Sequence, residues 1–320
     1  MRIAFVGKGG SGKTTLSALF AQWLSAEGVP VLAIDADINQ HLGVALGLDE
    51  REAGSLPAMG AALPFIKDHL RGTNPRIRSA AVMTKTTPPG RGSRLLRLSE
   101  PDPIFERLAR EVGGVRLMVT GPFEEEDLGV ACYHSKTGAV ELLLNHLLDE
   151  PGEYVVVDMT AGADSFASGL FTRFDLTVLV AEPTVRAVSV HRQYRSYAAD
   201  FDVPIVVVGN KVEDAIDEAF LRESAGDELL ACFGRSAHVR AMEKGGTPPI
   251  DELEESNRLV LRTIRAALDS RERDWRRSHE LAVEFHRRNA AAWANAVIGE
   301  DVAAQVDPDF TPDPRLVSLS

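Results

Sequence analysis

The stretch "RIAFVGKGGSGKTT" (2–15) decides how the rest of the chain is read. "IAFVG" (3–7) has the apolar run of a short buried strand, and "TTLSALFAQWLSAEG" (14–28) reads as a helix. Between them "GKGGSGKT" (7–14) fits G-x-x-x-x-G-K-[ST]. A strand, a glycine-rich turn and then a helix is the setting in which this pattern marks a phosphate site. Gly7, Gly9, Gly10 and Gly12 let backbone N–H groups face phosphate oxygens without a Cβ in the way. The helix amino terminus adds partial positive charge. In such loops the lysine, here Lys13, bridges the β- and γ-phosphates, and the hydroxyl, here Thr14, ligates Mg²⁺. The nucleotide-binding set is therefore Gly9, Gly10, Ser11, Gly12, Lys13, Thr14 and Thr15. A second lysine, Lys8, stands ahead of the glycines and is not required by the pattern.

Working outward, short apolar runs recur with helical stretches between them. They are "VPVLAID" (29–35), "VRLMVTG" (115–121), "YVVVDM" (154–159), "LTVLVAEP" (176–183) and "VPIVVVGNK" (203–211). Strands that are apolar throughout, rather than alternating, belong to a sheet covered on both faces. The expected fold is α/β, a doubly wound and mostly parallel sheet of the P-loop NTPase kind. Ligands on such sheets bind at the carboxyl ends of the strands. Lys8, Lys13, Asp35, Asp37, Asp158, Glu182 and Asn210 all follow strands.

The totals of the 320-residue chain suit one large α/β domain with an appendage. A formal net charge of −12 argues against the whole surface serving as a DNA-binding face. Cys132 and Cys232 lie too far apart in sequence to suggest a disulfide framework, which fits a reducing cytoplasm. No run approaches the ~20 apolar residues that span a bilayer. A first strand opening at residue 2 leaves no room for a signal peptide, so a cytoplasmic protein is expected.

"KGGxGKT" with a lysine second in the loop resembles the deviant Walker A ATPases, the superfamily of MinD, ParA, Get3 and the nitrogenase iron protein. The resemblance implies ATP hydrolysis and an ATP-dependent homodimer in which Lys8 crosses to the partner subunit's ATP phosphates. "AIDADINQHLG" (33–43) is similar to that superfamily's "DxDPxxNL", with Ile38 for the proline and His41 for the asparagine. By the same resemblance Asp37 orients the attacking water and Asp35 lies by the Mg²⁺ water shell. Asp158, in "YVVVDMTAG" (154–162), is the implied indirect Mg²⁺ partner, with Gly162 in a switch. Asn210, in "VVVGNKVED" (206–214), stands where the superfamily reads adenine. Glu213 occupies the place of the aspartate in a guanine reader's N-K-x-D, which disfavours GTP without excluding it.

The succession "TGPFEEEDLGVACYHSKTGAVELLLNHLL" (120–148), "YVVVDMTAG" and "VLVAEPTVRAVSV" resembles the CooC-like nickel-insertion ATPases of carbon monoxide dehydrogenase. The likeness runs from residue 1 to about 250, leaving out a basic insertion. Those relatives carry Cys-x-Cys before the helix, where each subunit of a dimer gives two thiolates to one metal. This chain has Cys132 and His134, and a two-fold axis would gather a Cys₂His₂ set suited to zinc or nickel. The alternatives are a relic, or a pair that touches a client protein by other means.

By these signs residues 1–251 form the ATPase domain, 252–305 a helical extension and 306–320 a Pro- and Asp-rich disordered tail. Residues 51–102 are an irregular insertion, with seven Lys or Arg and no acid between Arg71 and Arg97. That segment is either a solvated loop or a docking patch for an acidic partner or DNA. Three outputs compete: metallocentre maturation with a metalloenzyme client, ParA- or MinD-like positioning on DNA or membrane, and Get3-like handling of a protein cargo.

Overall fold

The computed structural model describes residues 1–122 and 134–317. Its strands are β1 (Arg2–Gly7), β2 (Val31–Ala36), β3 (Leu96–Arg97), β4 (Arg110–Val112) and β5 (Val115–Val119), followed by β6 (Leu147–Leu148), β7 (Tyr154–Thr160), β8 (Leu176–Ala181), β9 (Ile205–Val212) and β10 (Leu229–Gly234). Eight of them form one sheet in the order β10-β9-β8-β1-β7-β2-β5-β4, while β3 and β6 pair separately. All pairings in the large sheet are parallel except that of β4 with β5. Each apolar run named from the sequence is one of its central strands, and β1, β2 and β8 are buried along their full length. The edge strands β4, short and polar, and β10, the run LLACFG, were not among the runs named from the sequence.

Burial on both faces follows from two separate apolar layers. On one side the helix Lys13–Ala26 presses Leu16, Leu19, Phe20 and Leu24 against β1 and its neighbours. The helix Glu255–Asp269 joins the same layer through Val260, Leu261, Ile264 and Leu268, which share one helix face. On the other side the helix His134–His146 and the segments around Met83, Phe171 and Phe285 close the core. No helix among the described residues is long and apolar enough to cross a membrane.

The extension is helical as expected, and it packs on the ATPase core. Phe285, in the helix Trp275–Asn289, stacks on Phe171 and Phe201. A Cβ on Gly169 would lie 2.3 Å from the Phe285 ring, so the two elements meet backbone to ring. At the amino edge of the sheet, Arg273 bonds Asp175 at 2.8 Å, and Arg2 bonds Asp149 at 2.7 Å. The guanidinium groups of Arg2 and Arg273 hold the Asp149 carboxyl far below the usual range despite its burial.

Two expectations need correction. The tail from 306 onward is not disordered over its described part: Val306, Asp307 and Asp313 are buried, and Gln305 donates to the Val82 carbonyl at 2.8 Å. Composition misled here because Asp307 finds its partners in the distant insertion. Asp307 accepts from Arg91 Nε at 2.9 Å and from Arg91 Nη2 at 3.1 Å. For the same reason the insertion is not a bare basic face. Arg91 and Arg76 lie against Asp307, Arg78 against Glu300, and Arg97 against Glu150. "TTPPG" (86–90) has no regular secondary structure but is buried, with Thr86 bonded to His286 and Thr87 to Gln305. Insertion and tail are two halves of one packed unit.

Candidate functional site

Five strand ends converge on the loop between β1 and the helix Lys13–Ala26. Gly7 can only be glycine, since a Cβ there would lie 2.4 Å from Ser11 Oγ and 2.8 Å from the Val180 carbonyl. Gly10 and Gly12 have φ of 85° and 89°, the left-handed region that turns successive peptides into an anion-binding concavity. No side chain caps the helix that begins at Lys13, so its first N–H groups remain for a ligand. Open space lies over Gly9 and Gly10. From the loop a cleft of about 1160 Å³ runs outward between Gly47–Glu50 and the segment Phe233–Thr247.

The carboxylates predicted from β2 and β7 are brought together by register, for Asp35 and Asp158 are direct partners across those strands. Both are fully buried. Burial and the neighbouring Asp158 push Asp35 up to about 8, against N–H bonds from Leu42 at 2.8 Å and Asp37 at 3.1 Å. Burial likewise raises Asp158 to about 6, opposed by Lys13 and by the Thr14 hydroxyl, which donates to it at 2.6 Å. Lys13 Nζ lies 2.6 Å from Asp37 Oδ2. Burial alone would lower the Lys13 ammonium, but Asp158, Asp37 and Asp35 outweigh it and hold it above its ordinary value. Burial also works against the charged form of Asp37, yet Lys13 and the Asn39 N–H keep it below the carboxylate range. Among the described residues, the site thus sets the Lys13 ammonium among three acids. Lys8 stays exposed on the loop, with its carbonyl accepting from Ser11 N at 3.0 Å.

A divalent cation fits this donor set. Asp158 Oδ1 is buried without a hydrogen-bond partner, and the Thr14 hydroxyl is held against the same carboxylate. Burial holds Asp35 and Asp158 toward their neutral forms, and a cation beside them would stabilise the ionised pair.

Asn210 reaches the loop, but as a brace: its Nδ2 donates to the Ser11 carbonyl at 2.7 Å. Glu213, weighed as a base reader, is paired with Arg235. Two residues escaped the sequence reading. Lys211 Nζ donates to the Gly10 carbonyl at 2.7 Å and lies 2.5 Å from Glu182 Oε1. Gln40, at φ 51°, bridges the Asp37 loop to the end of β5, donating to Thr120 Oγ1 at 2.9 Å and accepting from Gly121 N at 3.1 Å. Gln40 falls at an unassigned position of the aspartate motif, and Lys211 is the lysine of the N-K-x-D pattern, which was read for the base alone; the positive φ of both marks their special places. Cys132 and the acidic run Glu124–Asp127 lie outside the described residues, while His134 marks the first position of the helix His134–His146.

A parallel sheet with a glycine loop, a buried lysine and paired strand-end acids defines a P-loop nucleotide-binding protein. Residues 3–264 match the model of the CobQ/CobB/MinD/ParA nucleotide binding domain, and the chain belongs to that family of P-loop ATPases. It is similar to the carbon monoxide dehydrogenase accessory protein CooC of Rhodospirillum rubrum, 30% identical over 77% of this chain and 88% of that protein. An uncharacterised ATP-binding protein of Methanocaldococcus jannaschii is 27% identical over 78% and 90% of the two chains. Among solved structures, the cell division ATPase MinD of Pyrococcus furiosus superposes with a TM-score of 0.53 at 16% identity, covering 84% of this chain and 96% of that one. MinD in the MinC:MinD complex of Aquifex aeolicus gives 0.54 at 18%, covering 83% and 93%. At those identities the two structures speak for the fold alone.

Proposed function

We propose that the chain is an ATP-hydrolysing switch that closes as a homodimer and serves metallocentre maturation, seating a metal in a client enzyme. The observation that carries this reading is the phosphate loop with two lysines in different settings: Lys13 buried against Asp37, and Lys8 exposed. Lys13 answers the charge of its own nucleotide. Lys8 has the exposure required of a cation donated across an interface, where developing phosphoryl charge calls for one more positive group. The likeness to CooC favours metal delivery over DNA or membrane positioning, and the pairing of Arg78 and Arg91 of the insertion with acids of the extension and tail favours it further.

Thr14 and Asp158 would hold Mg²⁺, with Asp35 behind them. Mg²⁺, when bound, neutralises charge on the β- and γ-phosphate oxygens. The protein's own part is positional. The amides of Gly9–Thr15 bind the phosphates, and Asp37, depressed in pKa and therefore ionised, accepts a hydrogen bond from the attacking water. Gln40 ties the Asp37 loop to Thr120 and Gly121, just ahead in sequence of the segment that contains Cys132. Movement of Asp37 is thereby carried toward that segment.

The test is bound metal and mass in solution, with and without ATP, for wild type and Cys132→Ser. A zinc or nickel content near one per dimer that the substitution abolishes is expected. Wild-type protein free of metal after loading with either ion would remove the maturation reading and leave a positioning or targeting ATPase.

A further inference from the structure

We infer that Lys211 and Glu182 form a clamp that positions the phosphate loop, Lys211 acting through the Gly10 carbonyl and Glu182 acting through Lys211. The inference rests on the nucleotide-binding reading of that loop. Its basis is a run of contacts that β8 and β9 make from one side. Asn210 and Lys211, consecutive at the end of β9, hold the consecutive carbonyls of Ser11 and Gly10, each at 2.7 Å. A trans peptide carries its N–H opposite its C=O. Holding the Ser11 oxygen toward Asn210 therefore turns the Gly12 N–H to the other side of the loop. Holding the Gly10 oxygen fixes the Ser11 N–H against the Lys8 carbonyl, at 3.0 Å, which closes the loop's turn. Glycine imposes nothing of its own at Gly10, where no heavy atom lies within 4 Å of a would-be Cβ. The restraint has to come from elsewhere.

Lys211 is not another phosphate cation. Glu182 Oε1, 2.5 Å from its ammonium, cancels its charge, so the pair is neutral as a unit. What remains is geometry. Lys211 also holds φ at 59°, a left-handed conformation that a lysine keeps only where surroundings impose it. This conformation aims its side chain back across β8 to the loop. Both partners are half exposed, and neither contributes to the apolar core.

The experiment compares wild type, K211M, K211R, K211G, E182Q and the K211M/E182Q double variant by direct ADP titration and by steady-state ATP turnover. K211M is expected to weaken ADP about tenfold, the loss of one charge-assisted hydrogen bond. KM for ATP should rise with it while kcat changes less than about twofold, since the held loop serves ground and transition states alike. K211G, which suits the backbone and lacks the ammonium, should lose as much as K211M. K211R should stay within about threefold of wild type, because a guanidinium can still bridge the carboxylate and the carbonyl. E182Q should weaken ADP about threefold, and the double variant should be no weaker than K211M alone. ADP affinity of K211M within twofold of wild type overturns the clamp, as does a double variant whose loss is the product of the two single losses. Should K211M fail to fold, equal ADP affinities of E182Q and wild type overturn it instead. A wild type that binds no ADP is a different result, and removes the phosphate-site reading itself.

Discussion

Glu141 has no exposed surface in the helix His134–His146, and its nearest cation is the Arg173 guanidinium at 3.6 Å. Burial pushes its carboxyl up to about 7, more than Arg173 and Lys85 pull it back, and burial likewise lowers Arg173. Both charges are costlier inside than their attraction returns. The native protein therefore keeps a proton that the unfolded chain releases near 4.5. The stability this proton confers is complete below pH 4.5 and is lost as pH rises through about 7. Glu141→Gln keeps the shape and removes the titration. Urea melts near pH 5 and pH 8 should find the variant close to wild type at the lower value and more stable at the higher, by on the order of 3 kcal/mol at most. Equal differences at both pH values would show that Glu141 ionises freely in the fold. Such a group is invisible in a sequence, where Glu141 is one acid in the otherwise largely apolar run "AVELLLNHLL" (139–148). Lys13, Asp37 and Asp158 were legible because a glycine loop and strand ends fix where they must stand. Gln40 and Lys211 were not, because their roles depend on which strand lies next to which.

Elements beyond the ATPase core show the same division between what is local and what is not. The helix Trp275–Asn289 could be read from its apolar spacing, but not its seat on Gly169. Gly169, at φ 96°, lies in the segment between β7 and β8 that also carries Gly162, so the extension rests on the expected switch. Phe285→Ala removes the ring that touches Phe171 and Phe201 and leaves a cavity at this junction. A loss of about 3–5 kcal/mol is expected by denaturant unfolding, the range for a buried phenylalanine truncated to alanine. A loss under ~1 kcal/mol would mean that the extension leans on the core without being part of it. Insertion and tail were read separately, as a basic patch and a disordered end, since each looks unbalanced alone. Arg91 and Asp307 are 216 residues apart in sequence, and only the fold pairs them.

At the scale of the whole molecule the six central strands and the phosphate loop were readable, the two edge strands were not, and the assembly rests on one exposed lysine. Lys8 lies on the same loop as Lys13 but is exposed, and among the described residues it is paired with none of the acids that surround Lys13. A switch that closes two copies over their nucleotides gives it a charge to answer. Lys8→Ala should abolish ATP-promoted pairing, read as mass by light scattering, and lower ATP turnover by at least about a hundredfold, as loss of a group aimed at transition-state charge does. Lys13→Ala should instead remove ADP binding by the single subunit, because that lysine belongs to the subunit's own site. The contrast between the two variants separates a shared site from a self-contained one. If Lys8→Ala pairs and turns over as wild type does, hydrolysis needs nothing from a second copy, and a two-fold metal site built from Cys132 and His134 loses the axis that would assemble it.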